Sequence, residues 1–348
     1  MQGKYKIVVP ALVVIILTLL ITACSTPGTK PAAQKDKIFV TQTAPPNMLN
    51  QLKSGEIDGF VAWEPFNADA VGQGIGKVLV SSKDLWPNHP CCVLAVAPSI
   101  PSEVEQALAW AHLQATNFIN DPAKAGEVLK YAQEFGGKSE AVTKEALKTI
   151  KFVEFPNQKE FRNYYEGLKK KGLIVKKPQD LGYSNDDQFF QAFLNPEVYD
   201  RVKGVKPAPV PSQIKVRLGY LRQDLHELAV YIAQKEGYYE QVGLIAGKNL
   251  ELKEFANGVA VMEGFKNKEI DASYLGGAPA TLKRVNDNIP IKVIAGANEE
   301  GSALVVKKEI NSIKDLAGKT IAIPGVGTVQ GFLLDRIAEQ AGLEVQVK

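Results

Sequence analysis

The chain has 348 residues, of which 45% are hydrophobic and 23% are charged, a globular composition that excludes a disordered or collagenous protein. At about 150 residues per domain the length allows two domains. The net charge of +3, from 41 basic and 38 acidic residues, gives no indication of a nucleic-acid partner. Three histidines and three cysteines are too few and too scattered for a structural zinc site, and we expect no metal and no cofactor.

The N-terminus has the layout of a secretory signal. Two lysines precede an uncharged apolar run over residues 7–20, and small residues lead into Cys24. We therefore predict a signal peptide over residues 1–23. The ending ITAC resembles a bacterial lipobox, which implies lipidation of Cys24 and a tether over residues 24–36. An uncleaved transmembrane anchor is the alternative. In both cases we expect the folded part to lie outside the cytoplasm, anchored to the cell membrane on the periplasmic or outer side, away from any nucleotide pool.

Strand-like and helix-like segments alternate after the tether. Apolar runs predict strands at residues 37–42, 59–63, 91–97, 215–220, 250–255, 272–275, 292–295, 303–307 and 320–323. Helical spacing predicts helices that begin at prolines 45 and 46, that run from 102 to about 148 with breaks at 120–122 and 136–137, and that cover residues 158–171, 186–194, 227–236, 259–267, 279–286 and 329–341. This alternation predicts an α/β fold with parallel sheets.

Residues 204–212 (GVKPAPVPS) contain three prolines and no periodicity, which predicts a linker. A weak internal repeat lies on its two sides, at residues 49–65 (LNQLKSGEIDGFVAWEP) and 262–279 (MEGFKNKEIDASYLGGAP). Each copy combines an amphipathic helix, the tripeptide EID, a short apolar strand and a turn with proline. Two lobes built on one plan explain the repeat, and a chance match between βαβ units is the alternative.

Four stretches of the sequence are distinctive as a set: VRLGYLRQDLHELAVYIAQKEGYYEQVGL, KNKEIDASYLGGAPATL, SIKDLAGKTIAIPGVGTVQGFLL and MLNQLKSGEIDGFVAWEP. They resemble the extracytoplasmic substrate-binding proteins of ABC importers, of the sulfonate, taurine, nitrate and thiamine-precursor type. The resemblance implies a two-lobed periplasmic binding protein fold of type II with a ligand cleft between the lobes. It implies solute binding rather than catalysis. The implied partners are a small-molecule solute and the ABC permease subunits.

The order of these motifs differs from the family order, in which EIDGFVAWEP comes last before the terminal helices. We therefore predict a circularly permuted chain whose old ends are joined through the linker. The predicted divisions are the second part of lobe 2 at 37–98, a helical region packing mainly on lobe 1 at 99–203, the linker at 204–213, lobe 1 at 214–301 and the first part of lobe 2 at 302–348. A half-swapped dimer and a rearranged reading frame are the alternatives to a permuted monomer.

Two glycine-rich loops that follow predicted strands are the first candidates for ligand contact. Each opens a helix whose free N–H groups carry about half a positive charge, so two such loops that converge would suit an anion. An ordinary connection without a ligand is the alternative for each. The candidate residues are Gly276, Gly277, Ala278, Pro279 and Ala280 in the first loop, and Gly325, Val326, Gly327 and Thr328 in the second.

Two further segments carry polar or aromatic candidates. Arg222 or His226 could neutralise an anion, and Asp224 could accept a hydrogen bond from an amine. The alternatives are helix capping for Asp224 and a partly hydrated helix start for His226. Trp63 could cover an organic ligand or pack in the core, and Glu64 could bind a cation or contact the other lobe.

Residues 298–302 (NEEGS) fall at the predicted crossover between the lobes and supply a glycine hinge and the hydroxyl of Ser302 as a further ligand candidate. We expect the two glutamates there to lie in solvent or to dock the transporter. Cys91 and Cys92 follow a histidine and a proline, but neighbouring side chains on a strand point to opposite faces. Buried strand residues, a strained vicinal disulfide and a ligand role stay open for them.

The sequence therefore favours a solute-binding lipoprotein that holds one acidic group, such as a sulfonate, nitrate or carboxylate, on backbone N–H groups. An enzyme or binding protein of thiamine-precursor metabolism, similar to a pyrimidine synthase, is the alternative, with a neutral pyrimidine stacked on Trp63. A sensory or structural binding lobe without transport is the third hypothesis.

Overall fold

The computed structural model describes residues 36–348, so the predicted signal peptide, Cys24 and the tether before residue 36 lie outside the described residues. The strands are β1 (Lys37–Gln42), β2 (Gly59–Trp63), β3 (Lys77–Ser81), β4 (Cys92–Val96), β5 (Ile150–Phe152), β6 (Val216–Leu221), β7 (Leu250–Phe255), β8 (Ala272–Gly276), β9 (Lys292–Gly296), β10 (Asn298–Glu300), β11 (Ser302–Val306), β12 (Thr320–Ile323) and β13 (Glu344–Val347).

The helices alternate with these strands. They are α1 (Pro45–Ser54), α2 (Phe66–Gly72), α3 (Ser82–Leu85), α4 (Ser102–Asn120), α5 (Ala125–Gly136), α6 (Glu140–Leu147), α7 (Gln158–Lys170), α8 (Asp186–Phe193), α9 (Pro196–Val202), α10 (Leu228–Lys235), α11 (Tyr238–Gln241), α12 (Gly258–Lys266), α13 (Gly277–Asn286) and α14 (Val329–Ala341). Between residues 36 and 348 no helix combines the length and the apolar character that crossing a membrane requires.

Two large sheets organise the strands. One has six strands in the order β13-β1-β12-β2-β11-β3, and the other has five in the order β7-β6-β8-β4-β9. The prediction of parallel sheets is correct only in part, because β4 and β11 run antiparallel to both of their neighbours. Each sheet combines strands from before and after residues 204–213.

All nine predicted strands and all the predicted helices are confirmed, with shifts of one or two residues at their ends. The prolines at 45 and 46 open α1, and Gly55 ends it in the left-handed conformation with a φ of 83°. The elements that the pattern did not predict are short, between three and seven residues, and are α2, α3, α9, α11, β3, β5, β10 and β13. Segments of this length carry too little periodicity to be recognised.

The start of α13 connects the second half of the chain to β4. It begins at Gly277, two residues before the predicted position, and the Gly277 N–H donates to the Cys91 carbonyl at 2.7 Å. The same helix packs against α7, α12 and α14. These contacts place the first glycine-rich loop beside the beginning of β4 and beside α14.

The last strand qualifies the expected permutation. The permuted order places Lys348 directly before residue 37, but β13 and β1 are parallel neighbours in which Val347 pairs with Val40. The Lys348 N–H donates to the Val40 carbonyl at 2.9 Å. The two strands therefore occupy adjacent positions in the sheet, and a direct join between them would have to run back along the strand.

Candidate functional site

A small cavity lies where the two large sheets, α13 and α14 meet. Its volume is about 10 Å³, close to the space of one water molecule. Five sequence-predicted residues line it, Trp63, Asp224, Gly276, Pro279 and Thr328, together with Cys91, Cys92, Leu221, Gly258, Val329 and Gln330. The structure thus brings residues from both sheets into one hollow.

The starts of α13 and α14 face the same cavity. Gly276, the residue before α13, contributes no side-chain cap, and a Cβ placed on it would stand 3.2 Å from Cγ2 of Val329, the first residue of α14. Thr328 caps α14 by accepting a hydrogen bond from the Gly331 N–H at 3.2 Å. The leading N–H groups of a helix have no intrahelical acceptor and attract negative charge. The two glycine-rich loops therefore converge, as the sequence predicts.

Trp63 and Asp224 are two of the polar side chains that line the cavity. Trp63 is 3% exposed, and its indole Nε1 has no hydrogen-bond partner among the described residues. An unpaired buried donor costs about 1–3 kcal/mol, so a ligand acceptor at this atom would be stabilising. Asp224 is fully buried and caps the turn after β6, accepting from the His226 N–H at 2.9 Å. It therefore both caps the turn and lines the cavity.

Behind the cavity wall, His226 contacts Cys91 and Asp224. Its Nδ1 lies 3.3 Å from the Cys91 sulfur and 3.6 Å from Asp224 Oδ1, and its Nε2–H donates to the Gly301 carbonyl at 2.9 Å. The alternative of a partly hydrated helix start for His226 is wrong, because the ring is fully buried. The structure does not place His226 on the cavity surface, since Cys91 and Asp224 lie between.

These contacts govern ionisation in the cluster. Burial would lower the pKa of His226, but Asp224 and Cys91 outweigh burial and raise the pKa to about 10. Burial raises the pKa of Asp224 to about 7 against the opposing effect of His226. A hydrogen bond from Cys92, together with His226, holds the pKa of Cys91 well below its ordinary value, whereas burial raises the pKa of Cys92. These shifts favour a protonated, positively charged His226, and Asp224 and Cys91 are the neighbouring groups that can carry the compensating negative charge.

Two more buried acids, Glu64 and Glu227, accept hydrogen bonds from backbone N–H groups. Glu64 lies outside the cavity lining, and its carboxylate accepts from the Ala68 N–H at 3.0 Å while burial raises its pKa to about 7. The Glu64 carbonyl accepts from the Leu225 N–H at 3.1 Å, which ties the end of β2 to the turn after β6. Glu227 accepts from the Leu221 N–H at 2.6 Å, and burial raises its pKa well above the ordinary value.

Several predicted site residues lie elsewhere. Arg222 is on the surface, where its Nε pairs with Glu254 at 2.8 Å, so the structure does not place this cation in the cavity. Val326 and Gly327 line a larger surface groove of about 430 Å³ beside α14. The remaining loop residues, Gly277, Ala278, Ala280 and Gly325, are buried around the helix starts without lining the cavity.

The crossover segment is more buried than expected. Its chain runs from β9 through β10 to β11 and so passes from one large sheet to the other. Glu299 is 4% exposed and pairs with Lys151 at 2.6 Å, so the prediction of a solvated glutamate is wrong. Glu300 is also buried and accepts from the Asn88 N–H. Ser302 accepts from Gln330 Nε2 at 3.0 Å and thus contacts the cavity lining through that side chain.

The two cysteines are the residues that the sequence reasoning missed as part of the site. The expectation of opposite faces fails because β4 begins at Cys92, so Cys91 precedes the strand, and both thiols line the cavity. The usable signal is a pair of adjacent cysteines that follows His89 and Pro90 in a chain with only three histidines and three cysteines. Both thiols are free.

Donor atoms within the cluster are close enough for a metal ion to bridge. One group is Cys91, Cys92 and His226, and another is Cys92, Asp224 and Glu227, each with donor atoms within 4.8 Å of one another. Sulfur and imidazole donors are typical of soft metal ions. In the first group the thiol and the imidazole already contact each other directly at 3.3 Å.

Two family models match separate parts of the chain. A model described as "NMT1-like family" matches residues 17–133, and a model described as "NMT1/THI5 like" matches residues 226–347. The two matches lie on opposite sides of residues 204–213.

Similar curated proteins come from bacterial import systems. The taurine-binding periplasmic protein of Escherichia coli is 31% identical over 91 residues, which are 26% of this chain and 28% of that protein. The nitrate/nitrite binding protein NrtA of Nostoc is 41% identical over 53 residues, which are 15% of this chain and 12% of that protein. The nitrate import ATP-binding protein NrtC of Synechocystis is 36% identical over 97 residues, which are 27% of this chain and 14% of that protein. The matched segment thus spans less than a third of each relative.

Proposed function

From the premise that the chain is related to the ABC-importer substrate-binding proteins of the nitrate and sulfonate type, we propose that it captures a small anionic solute outside the cytoplasm and delivers it to the permease of an ABC importer. The solute class is that of sulfonates, taurine or nitrate. The function is transport, with no reaction on the solute. The lipid anchor on Cys24 would hold the protein at the membrane.

The observation that carries this proposal is the meeting of two helix starts at one cavity with an unpaired donor. Gly276 and Thr328, which precede α13 and α14, both line the cavity, and the start of a helix carries a partial positive charge. Trp63, whose Nε1 has no hydrogen-bond partner among the described residues, lines the same cavity. Donors of this kind can hold an anion without a cationic side chain. None of the eleven residues that line the cavity is lysine or arginine.

The cavity is too small for the proposed solute, so binding would require a conformational change that enlarges it. A volume of about 10 Å³ admits one water molecule and is too small for a sulfonate or nitrate. We propose that the described conformation is a closed state and that the two sheets belong to two lobes that separate to admit the solute. The crossover through β10 and the contact of Glu64 with Leu225 lie where such a hinge would act.

The permuted order is part of the same proposal. Segments 37–81 and 302–347 share the six-stranded sheet, and strand β4 from the first half completes the five-stranded sheet of the second. A single chain with this connectivity would be a functional monomer. Light scattering of the purified full-length chain would give the mass of one chain, whereas the mass of two would favour the half-swapped dimer.

A thermal-shift screen of the full-length chain tests the function. The panel is taurine, methanesulfonate, nitrate, bicarbonate and a thiamine-precursor pyrimidine. A solute at a hundred times its Kd should stabilise the chain by about 2.7 kcal/mol. We expect a shift for at least one of the first three compounds. A complete absence of shifts with taurine, sulfonate and nitrate would contradict the proposal.

Trp63→Phe is the matched test of the site. It keeps an aromatic ring but removes the unpaired N–H, and we expect the Kd of the bound solute to rise about 10- to 150-fold, since a hydrogen bond to a charged group contributes about 1.5–3 kcal/mol. Arg222→Gln is the control, because this side chain pairs with Glu254 on the surface. Isothermal titration calorimetry would give both values. A larger loss of affinity in Arg222→Gln than in Trp63→Phe would refute the assignment of the cavity.

A neutral pyrimidine is the second candidate ligand. The observation that favours it is Asp224, a buried acid in the cavity with a pKa raised to about 7 by burial, which could exchange hydrogen bonds with ring and amino groups. A shift with the pyrimidine alone would select this ligand over the anions. Liquid chromatography of the mixture after incubation would distinguish binding from turnover of the pyrimidine.

A further inference from the structure

Cys91 and Cys92 form a pair of free thiols at one side of the cavity. Their sulfur atoms and a ring nitrogen of His226 all lie within 4.8 Å of one another. Both residues are at most 3% exposed, and both line the cavity. Any opening of the cavity therefore exposes the two sulfurs together.

The surroundings differentiate the two thiols. Cys91 contacts His226 Nδ1 at 3.3 Å, and His226 Nε2–H is committed to the Gly301 carbonyl, so a protonated ring presents its second N–H to the Cys91 sulfur. The pKa of Cys91 accordingly lies well below its ordinary value, first through the hydrogen bond from Cys92 and then through His226. Cys92 instead faces Asp224, with its sulfur 3.9 Å from Oδ2, and stays protonated. This is the arrangement of an attacking thiolate beside a resolving thiol.

We propose that Cys91 and Cys92 form a reversible vicinal disulfide, with a low-molecular-weight disulfide as the oxidant, and that this step regulates solute binding at the cavity. The regulation of solute binding rests on the proposed function. The formation of the disulfide depends only on the chemistry of the two thiols.

The step balances as an ordinary thiol–disulfide exchange. The Cys91 thiolate attacks one sulfur of the oxidant, whose S–S bond breaks and releases one thiolate. The Cys92 sulfur then attacks the Cys91 sulfur, the mixed disulfide breaks, and a second thiolate leaves. The proton of Cys92 goes to a departing thiolate, and the other takes a proton from solvent. Two protein thiols are oxidised and one disulfide is reduced to two thiols.

The disulfide would be easy to reverse. Cα atoms of adjacent residues are about 3.8 Å apart across a trans peptide, below the spacing that a relaxed disulfide prefers. A strained disulfide has a higher reduction potential and belongs to the labile, regulatory class. Such a bond would respond to the redox state of the surroundings rather than serve as a permanent crosslink.

Oxidation of the two cysteines should strengthen the binding of an anion for an electrostatic reason. In the reduced form the hydrogen bond from Cys92 and the contact with His226 hold the pKa of Cys91 well below its ordinary value, which favours a negative charge on the sulfur beside His226. Oxidation removes that charge and leaves His226 with Asp224 as its remaining close acid, 3.6 Å away. An anion at the starts of α13 and α14 then meets less repulsion. We expect its Kd to fall by about tenfold or more on oxidation, since charges at this range interact strongly in a partly buried site.

The thiol chemistry is tested on the purified full-length chain with oxidised glutathione as the probe. Trypsin releases residues 84–124, which contain both cysteines and no internal lysine or arginine. We expect this peptide to lose the mass of two hydrogen atoms after oxidation and to regain it with reduced glutathione. Cys92→Ser should accumulate a mixed disulfide with glutathione at Cys91, whereas Cys91→Ser should react far more slowly.

Three results would overturn the chemistry. They are a peptide that keeps both thiols at every glutathione ratio, a Cys91→Ser chain that reacts as fast as Cys92→Ser, and a metal ion bound in stoichiometric amount by the native chain, measured by elemental analysis. Melting temperatures of the variants verify folding, and Cys91→Ala and Cys92→Ala replace any serine variant that fails to fold.

Calorimetry with taurine and methanesulfonate on the reduced and oxidised chain then tests the regulation. An unchanged Kd would overturn the regulatory half of the proposal. If the disulfide forms but no solute binds in either state, the proposed function fails and the thiol chemistry stands. If solute binds and no disulfide forms, the thiol chemistry fails and the proposed function stands.

Discussion

His112 and His226 are both fully buried, yet their ionisation is shifted in opposite directions. Burial lowers the pKa of His112 to about 4, and its ring nitrogens contact the hydroxyls of Tyr274 and Thr116 at 2.9 and 3.2 Å. Burial acts on His226 in the same sense, but Asp224 and Cys91 reverse the outcome and raise the pKa to about 10. Anionic neighbours rather than burial therefore distinguish the histidine of the site from a histidine of the packed interior.

The two surroundings also differ in what they contact. His112 lies in the middle of α4, a helix that packs against α9, α10 and β9, and its partners are neutral. His226 lies in the turn after β6, next to the cavity and to the crossover glycine Gly301. Groups with shifted pKa values at a cavity are candidates for function, and of the two histidines only His226 lies beside the cavity.

The largest expected effect comes from replacing each histidine by phenylalanine. His226→Phe leaves Asp224 and Cys91 without their buried cation, and breaking a buried ion pair costs about 3–5 kcal/mol. His112→Phe removes only hydrogen bonds between neutral groups and should cost about 1–3 kcal/mol. Urea unfolding at neutral pH gives both free energies of unfolding. Equal losses in the two variants would remove the distinction drawn above.

The pH dependence of stability should differ in sign between the two residues. The folded pKa of His112 is depressed from 6.5 to about 4, so its contribution to the free energy of unfolding is present above pH 6.5 and is lost as the pH falls toward 4. The folded pKa of His226 is raised from 6.5 to about 10, so its contribution is present below pH 6.5 and is lost as the pH rises through 10.

Unfolding experiments on the parent chain and on both phenylalanine variants across pH 4 to 10 measure these contributions by difference. The free energy of unfolding lost in His112→Phe should become smaller at acidic pH. The free energy of unfolding lost in His226→Phe should become smaller at alkaline pH. If the difference in the free energy of unfolding between the parent and either variant changes with pH in the opposite direction, the charge state inferred for that histidine is wrong.

A smaller effect is expected from Asp224→Asn. The folded pKa of Asp224 is raised from 3.8 to about 7, so its contribution to stability is present below pH 3.8 and is lost as the pH rises through 7. The amide cannot ionise, and this loss should disappear in the variant. Nuclear magnetic resonance titration of the His226 ring should also show a lower pKa than in the parent chain, while the titration of His112 should not move. An unchanged His226 pKa would mean that Cys91 alone holds the ring in its charged form.

Sequence patterns were enough to predict that the two glycine-rich loops follow strands, open helices and lie close together, although only Gly276, Pro279 and Thr328 of their residues line the cavity. Each follows a strand and opens a helix, and strand ends at one edge of a sheet bring such loops together. Nearly every long element was also predicted, because each carries at least one full helical or strand period. Trp63 and Asp224 followed from the same reasoning, since both stand directly at the end of a predicted strand or in the loop after it.

Other features depended on contacts that periodicity does not encode. Burial of His226 follows from the packing of the turn after β6 against Gly301, and Glu299 lies in β10, which pairs with β5. The surface position of Arg222 depends on Glu254 from β7, whose register is set by tertiary pairing. The expectation that the Cys91 and Cys92 side chains point to opposite faces failed because β4 begins at Cys92, so the alternation of a strand does not apply to Cys91.

Gly301 limits how this region can evolve. Its φ of 79° and its position against the imidazole leave no room for a side chain, since a Cβ there would stand 2.3 Å from His226 Nε2. Any replacement would have to displace the ring that the same residue's carbonyl holds. Saturation mutagenesis with selection for folded protein should therefore recover glycine almost alone at this codon, although nothing chemically reactive belongs to it.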